Sequence, residues 1–217
     1  MQAKLKNFKK NLLYYEAAMK QLKTYLEILN TEISFLDIDN PINHVSTRIK
    51  STESIILKLQ RKNLPLTIES LNSLNDIVGA RIVCDFLDNV YLVSDKLKNN
   101  KNIKIIEVKD YIKNPKENGY RSLHLIVAVP IFLQNEKREM KVEVQLRTIA
   151  MDFWASLEHK LRYKKDIPAD KAKYLEDEML ACAQISADLD MRMQNVRDVI
   201  AENTTPDEQP LLLKELS

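Results

Sequence analysis

The first 30 residues place an apolar side chain at every third or fourth position, the spacing of one face of an α-helix. The alternation of threes and fours is also the heptad spacing of a coiled coil. The pattern predicts a long helix over residues 1–39, and it fits packing on the same domain and packing on a second copy equally well. The apolar positions are Leu5, Phe8, Leu12, Tyr15, Met19, Leu22, Leu26 and Leu29.

A second helix is predicted from Asn40-Pro41 to about Asn63, because asparagine is a common N-cap and proline favours the first helical position. On that helix, polar residues spaced by four, four and three form one stripe: Lys50, Ser54, Lys58 and Arg61. The opposite side would carry Ile49, Thr52, Ile56 and Leu59. Charged helix faces are commonly only solvated, but this one has few interleaved acids and would suit a polyanion.

Strand-like segments rich in β-branched residues follow, at residues 77–86, 103–112, 123–133 and 140–147. Helices are predicted at 90–99, from a cap at Thr148 to residue 163, and at 169–201. The last helix has an apolar stripe of Leu175, Met179, Cys182, Ile185, Leu189, Val196 and Ile200. Residues after Glu202 are predicted to be a loose tail.

These elements predict an α/β (α+β) fold, a mixed sheet flanked by helices with one long helix at each end. The chain of 217 residues is expected to be a single domain. Its parts are an N-terminal helix (1–39), a core (40–165), a C-terminal helix (166–203) and a tail (204–217).

Composition removes several classes of protein. The net charge is only +2, which argues against binding nucleic acid through bulk charge but leaves local patches open. With only two glycines, Gly79 and Gly119, the chain has neither a P-loop nor a dinucleotide fingerprint. Cys84 and Cys182 are expected to be buried, reduced thiols. The absence of a secretory or membrane-spanning segment predicts a cytoplasmic protein.

The strand at 140–147 alternates apolar residues with Lys141, Glu143, Gln145 and Arg147. At ~3.4 Å per residue, the last three side chains would line up over a nucleotide-sized length. Asp76 stands at the start of the first strand, where a carboxylate is often only a turn or cap residue. If these two strands are neighbours, Asp76 and Glu143 can share one Mg²⁺ with substrate phosphates.

A basic loop joins the strands on either side of residues 109–124, with turn signals at Asn114-Pro115 and Asn118-Gly119. Tyr120 next to Gly119 could stack on a base, with lysines nearby for phosphates. Taken alone, the loop is better explained as a hairpin with a surface tyrosine.

Four segments together resemble the RelA/SpoT-type (p)ppGpp synthetase domain. They are RIKSTESIILKLQRK (48–62), DIVGARIVCDF (76–86), VKDYIKNPKENGYRSLHLIV (108–127) and VEVQLRTIAMDFWASLEHKLRYK (142–164). The length and the last segment are most similar to small alarmone synthetases of the RelP/RelQ branch. The resemblance implies a nucleotidyltransferase-like fold and transfer of pyrophosphate from ATP to the 3′-hydroxyl of GDP or GTP, with Mg²⁺.

The resemblance also implies residue roles. ATP would be held by Arg48, Arg81, Lys50, Ser54, Lys58 and Arg61, the two arginines enclosing adenine. Asp76 and Glu143 would bind the metal, and Glu143 would activate the 3′-hydroxyl. GDP or GTP would be held by Lys109, Lys116, Asn118, Gly119, Tyr120, His124, Gln145, Arg147 and Asp152, with Tyr120 stacked on guanine.

The sequence leaves several points open. Residues 107–110 mix acidic and basic versions of a family loop, so GDP and GTP remain equal candidates, and His44 replaces an aromatic residue linked to alarmone regulation. The three histidines lack the His-Asp metal motif of the family's hydrolases, so only synthesis is expected. A homotetramer is expected, with RNA binding as a possible side activity. Rival interpretations are a toxin-like enzyme acting on adenosine nucleotides or tRNA, a silent nucleotide- or RNA-binding regulator, and a helical scaffold.

Overall fold

A five-stranded mixed sheet forms the centre of the fold in the computed structural model, which describes residues 2–36, 40–162 and 169–203. The elements run in the order α1 (Gln2–Leu36), β1 (Ile42–Ile49), α2 (Thr52–Arg61), α3 (Ile68–Ser73), β2 (Val78–Cys84), α4 (Leu87–Lys98), β3 (Lys104–Asp110), β4 (Leu123–Phe132), β5 (Lys137–Thr148), α5 (Ile149–Arg162) and α6 (Ala169–Asn203). Within those residues, no helix has the length and apolar character needed to cross a membrane.

The strands lie in the order β1-β2-β5-β4-β3. All neighbouring pairs are antiparallel except β2 and β5, which run parallel. Alternation along β5 buries Met140, Val142, Val144 and Leu146 on one face, which joins the main core beneath α1 and α4. The opposite face of β5 carries its polar residues, so the expected α/β fold with a mixed sheet is confirmed.

The long N-terminal helix packs on its own domain. Tyr15, Leu22, Leu26 and Leu29 are almost fully buried in the main core, and α1 contacts β1, β2, β4 and β5. Of the two arrangements that the heptad-like spacing allowed, the intramolecular one therefore accounts for the buried face. The side chains of Leu5 and Phe8 lie outside the described part of the chain.

The prediction of one helix over residues 40–63 is wrong. Ile42–Ile49 is a strand that pairs with β2, and α2 begins only after Ser51, whose hydroxyl accepts the backbone N–H of Ser54 (3.3 Å). The alternating β-branched residues before Ser51 favour a strand once a neighbouring strand is available to pair with. Of the predicted apolar set, Leu59 is buried and Thr52 and Ile56 are half-buried, and the helix also buries Ile55. The short helix α3 was not predicted.

The remaining elements agree with prediction to within a few residues. Thr148 caps α5, since its hydroxyl accepts the backbone N–H of Met151 (3.1 Å). The predicted end of that helix at residue 163 and the tail at 204–217 lie outside the described residues.

Helix α6 packs mainly through small and polar residues, and Met179 is the member of its predicted apolar stripe that packs against the cluster around Trp154. Ala183 and Ser186 face α5, and the Ser186 hydroxyl donates to the carbonyl of Ala150 (3.1 Å). Small side chains let two helices approach closely, which leaves the bulky stripe outside. Leu175, Cys182, Ile185, Leu189, Val196 and Ile200 are accordingly exposed. The prediction that Cys182 is buried is wrong, whereas Cys84 is buried as expected.

Asp190 on α6 accepts a hydrogen bond from the hydroxyl of Thr148 (2.6 Å). Burial raises the pKa of Asp190 above its ordinary value, opposed by the Thr148 hydrogen bond and by Arg121. The folded chain therefore keeps this proton to higher pH than the unfolded chain, and the contribution to stability falls as pH rises from about 4 through the folded pKa. An Asp190→Asn variant is expected to have a higher Tm than the native chain at pH 7 and an equal Tm near pH 3, where Asp190 is protonated in both the folded and the unfolded chain, measured by thermal denaturation. A gain that is the same at both pH values would contradict the titration of Asp190.

Candidate active site

The polar face of the sheet holds a cavity of about 190 Å³ where β1, β2 and β5 meet. Its position follows from strand register: Gly79 of β2 lies between Arg48 of β1 and Glu143 of β5, and Arg81 pairs with Gln145. Directly paired residues of neighbouring strands project to the same face. The cavity is lined by Ser46, Thr47, Arg48, Asp76, Gly79, Ala80, Arg81, Glu143 and Gln145.

Asp76 lies just before β2 and forms ion pairs with two lysines. Its Oδ2 accepts from Nζ of Lys50 (2.7 Å) and from Nζ of Lys58 (2.5 Å). Burial alone would raise the pKa of Asp76, but hydrogen bonds and charge from the two lysines outweigh burial and lower it. Lys50 precedes α2 and Lys58 lies within it, so the predicted stripe brings these two cations together although its first member is not helical.

Glu143 lies on β5 across the same cavity. Its Oε1 is 3.3 Å from Nδ1 of His124, and its Oε2 accepts from the amide of Gln145 (2.7 Å). Burial would raise the pKa of Glu143, whereas the contacts with His124 and Gln145 lower it, and the charge of Asp76 partly offsets them. Both carboxylates are thus ionised at neutral pH.

The two carboxylates fit a hard divalent cation. Oδ1 of Asp76 is buried and has no hydrogen-bond partner, an arrangement that is costly unless a ligand satisfies the oxygen. Magnesium is usually bound by one or two carboxylates, with substrate phosphates and water completing the octahedron. Across residues 2–36, 40–162 and 169–203, no group of three or more metal-ligating side chains forms a closed protein site. The open pair Asp76 and Glu143 therefore suits a metal that arrives with a nucleotide.

Three arginines lie beside the carboxylates. Arg48 and Arg81 line the cavity, and Arg147 is buried on β5. One oxygen of Asp152, Oδ1, is 3.0 Å from Nη1 of Arg81 and 3.0 Å from Nη1 of Arg147. Burial lowers the pKa of Arg81, and the nearby Arg147 lowers it further, while Asp152 opposes both. The arrangement concentrates positive charge where an anionic ligand could enter.

Tyr120 belongs to a hydrogen-bonded chain that ends at Glu143. Its hydroxyl is 2.8 Å from Nε2 of His124 and accepts from Nη2 of Arg147 (2.7 Å). Nζ of Lys116 lies 4.8 Å from the centre of the Tyr120 ring. The loop after β3 therefore turns its tyrosine inward to the carboxylate site, not outward as the surface-hairpin alternative required.

The other predicted site residues surround this centre. Lys109 on β3 pairs with Glu107 (3.2 Å), Ser54 lies at the start of α2, and Arg61 is exposed at the end of α2. Asn118 shapes the loop, because its Oδ1 accepts the backbone N–H of Tyr120 (3.2 Å) and its amide donates to Glu158 (3.4 Å).

Gly119 is required by the loop on two counts. Its φ of +85° favours glycine, and a Cβ at this position would lie 2.5 Å from Cβ of Ala183 on α6. We expect Gly119→Ala to destabilise the chain by about 1–3 kcal/mol, which thermal denaturation would measure.

Gly79→Ala is the matched control for stability, since its added Cβ would meet only ordinary contacts at 3.9 Å. A Gly119→Ala chain as stable as Gly79→Ala would show that α6 does not constrain the loop.

Sequence reasoning missed two features of the site. Tyr111 packs edge-on against both Tyr120 and His124, and Asp152 joins two arginines from different strands. The packing of Tyr111 could have been suspected from the sequence, because Tyr111 is an aromatic residue within the basic loop. No sequence signal marks the second, because it depends on the parallel pairing of β2 with β5.

Comparison with known proteins identifies the family of the chain. The model of the family described as the region found in RelA/SpoT proteins matches residues 47–168. The chain is 43% identical over 196 residues to the GTP pyrophosphokinase YwaC of Bacillus subtilis (strain 168), covering 89% of this chain and 91% of that protein. It is 35% identical over 199 residues to the GTP pyrophosphokinase YjbM of the same organism, covering 91% and 92%.

Solved structures give the same result. Small alarmone synthetase 1 from B. subtilis, bound to its product pppGpp, has a TM-score of 0.81 and 33% identity, covering 90% of this chain and 99% of that one. Small alarmone synthetase 2 from B. subtilis has a TM-score of 0.79 and 43% identity, covering 88% and 98%. The chain therefore belongs to the RelA/SpoT family, among its small alarmone synthetases.

Proposed function

We propose that this chain transfers the β,γ-pyrophosphate of ATP to the 3′-hydroxyl of GDP or GTP, producing AMP and ppGpp or pppGpp. The observation that carries the proposal is the cavity in which Asp76, with one unpaired carboxylate oxygen, and Glu143 lie beside paired lysines and arginines. The GTP pyrophosphokinases among its relatives and the pppGpp-bound neighbour support this reaction over transfer to another acceptor.

The donor side of the site is basic. Arg48 and Arg81 form the wall against which adenine would lie, since guanidinium groups stack on planar rings. Lys50 and Lys58, with Ser54 and Arg61 farther along α2, would hold the phosphates in place of the glycine-rich loop that this chain lacks. Both lysines already bind the same anionic oxygen, Oδ2 of Asp76, so phosphate oxygens would join a preorganised group.

Asp76 and Glu143 would hold the divalent metal, which we propose to be Mg²⁺. When bound, the metal neutralises charge that develops on the phosphate oxygens during transfer. The buried, unpaired Oδ1 of Asp76 supports this assignment, because a cation would satisfy it.

Glu143 would orient the 3′-hydroxyl and accept its proton. The hydroxyl oxygen forms a bond to the β-phosphorus while the bond from that phosphorus to the bridging oxygen of AMP breaks. The low pKa of Glu143 makes it a weak base before reaction, which suits a loose transition state in which positioning matters more than early proton removal. His124 holds the carboxylate in place at 3.3 Å.

On the acceptor side, Tyr120 offers a face to guanine. Of the two cations near its ring, Lys116 is exposed and Arg147 is buried, so a stacked base would displace Lys116. Lys109 and the displaced Lys116 would then be placed to contact the 5′-phosphates, with Gln145 and His124 near the ribose.

The proposed reaction is tested by nucleotide chromatography after incubation with ATP, Mg²⁺ and GDP, GTP, adenosine nucleotides or tRNA in turn. The expected result is AMP together with ppGpp or pppGpp, and no product on the last two acceptors. Product on an adenosine nucleotide or tRNA alone would overturn the proposal. Cytoplasmic location and RNA binding as a side activity remain predictions.

We also propose that the chain assembles as a homotetramer. The outer face of α6 leaves large apolar side chains in solvent, among them Ile185 (69% exposed) and Val199 (58%), which is unusual for a monomer surface. Ile185→Glu is expected to shift the native oligomer to a smaller species in light scattering, because the charge would lie in an apolar interface. Arg192→Glu, a polar position on the same helix, is its control. A native chain that runs as a monomer would contradict this expectation.

A further inference from the structure

Asp152 forms ion pairs with two arginines, one that lines the cavity and one that lies outside it. It lies in the first turn of α5, directly after β5, where a carboxylate is favoured by the helix dipole. Its Oδ1 is 3.0 Å from Nη1 of Arg81 and 3.0 Å from Nη1 of Arg147. Arg81 belongs to the cavity with Asp76 and Glu143, whereas Arg147 lies outside the lining of that cavity.

Arg147 connects Asp152 to Tyr120 in the basic loop. Its second nitrogen, Nη2, donates to the hydroxyl of Tyr120 (2.7 Å) and to the amide oxygen of Gln145 (3.0 Å). A continuous chain of hydrogen bonds and ion pairs thus links Arg81, Asp152, Arg147 and Tyr120. A change at either end alters the partners available at the other end.

Arg81 and Arg147 repel each other electrostatically, and the carboxylate of Asp152 offsets this repulsion. Arg147 and Arg48 both disfavour the charged form of Arg81, and Asp152 is the carboxylate that offsets them. The Nε atoms of Arg81 and of Arg147 are buried without hydrogen-bond partners, so neither guanidinium is fully satisfied in this arrangement. Groups that retain unused buried donors are ready to exchange partners when a ligand supplies acceptors.

Each nucleotide would disrupt the double ion pair on Asp152. A donor nucleotide that engages Arg81 offers that arginine a new partner in place of Asp152. A guanine base presents two kinds of N–H donor on its pairing edge and needs an acceptor, for which a carboxylate is suited. Each substrate therefore loosens the contact that the other must also loosen.

From these contacts we infer that Asp152 couples the two substrate sites, so that binding of one nucleotide strengthens binding of the other. The inference rests on the proposed function for the identity of the two nucleotides. The first nucleotide to bind opens the double ion pair on Asp152, and the second finds it already open. Such coupling is reciprocal, because the same factor must relate the two affinities in either order of binding.

Calorimetry without turnover tests the inference. AMPCPP, whose methylene group between the α- and β-phosphorus prevents release of AMP, replaces ATP. The Kd of GDP is measured with Mg²⁺ in the absence and in the presence of saturating AMPCPP, and the Kd of AMPCPP is measured with and without GDP. The native chain is expected to show tighter binding of each nucleotide in the presence of the other, by at least about fivefold.

Asp152→Asn should bring this factor close to one and should tighten binding of AMPCPP alone, because the neutral amide no longer holds Arg81. Asp152→Glu keeps the charge and should retain a factor above one. Asp188→Asn, which removes a carboxylate paired only with the exposed Arg192 among the described contacts, is the matched control and should match the native chain.

The outcomes separate the possible roles of Asp152. If Asp152→Asn weakens GDP equally with and without AMPCPP and leaves AMPCPP binding unchanged, Asp152 only reads guanine and the coupling role is overturned. If the native chain binds both nucleotides independently, the inference fails while the proposed function stands. If the native chain binds neither nucleotide, the proposed function fails and the inference fails with it.

Discussion

Glu143→Gln is expected to reduce pyrophosphate transfer by about 10²–10⁴-fold while the chain stays folded. The substitution keeps the size of the side chain and an oxygen to accept from Gln145, which lies 2.7 Å away in the native chain. It removes the charge that would bind the metal and the group that would take the proton from the 3′-hydroxyl. The loss should therefore appear in kcat and not in the melting temperature.

The rate is measured as AMP released per unit time by chromatography, and folding is checked by circular dichroism. Glu139→Gln is a matched control, because residue 139 lies four positions earlier on the same face of β5 and is exposed. It should retain the native rate. A Glu143→Gln enzyme that transfers pyrophosphate at close to the native rate would refute the role of Glu143.

Asp76→Asn should reduce kcat by about 10²–10³-fold, the usual effect of removing one preorganised electrostatic group. The loss has two physical sources. The metal loses a carboxylate ligand, and Lys50 and Lys58, both bound to Oδ2, lose the negative charge that holds them together. Initial rates measured against Mg²⁺ concentration should therefore show both a lower maximum and a higher concentration for half-maximal rate.

Asp85→Asn supplies the control for Asp76→Asn. Asp76 lies just before the start of β2, and Asp85 lies just after its end. Among the described residues, the Asp85 carboxylate accepts only one hydrogen bond, from the neutral side-chain amide of Asn43 (3.0 Å). An Asp76→Asn enzyme with unchanged metal dependence would remove Asp76 from the metal site.

Side-chain periodicity was sufficient to predict the sheet face but not the start of the second helix. On β5, strict alternation of polar and apolar residues places Glu143, Gln145 and Arg147 on one face, whatever the neighbouring strands are. In residues 42–49 the alternation covers only Val45 to Ile49, and Asn40-Pro41 resembles a helix start. Their pairing with β2 decides the structure, and pairing is a long-range property that local sequence does not contain.

The meeting of Asp76 and Glu143 could be predicted only conditionally, because it requires β2 and β5 to be neighbours. The ion pairs of Asp152 could not be predicted, since they depend on the distance between guanidinium groups of two parallel strands. The apolar stripe of α6 was identified from the sequence, but the sequence did not predict whether it faces the domain or solvent. Which face of a helix turns inward depends on how closely it must approach its neighbour, and here Ala183 and Gly119 set that approach.

The position of β5 has a consequence for how the chain acquires its site. This strand is the last of the five in sequence, yet it occupies the centre of the sheet, between β2 and β4. Until it is inserted, β2 and β4 each present an unpaired edge, a known hazard for association with other chains. A chain that ends before β5 also lacks Glu143, Gln145 and Arg147, so the nucleotide site cannot form until this strand has been made and inserted.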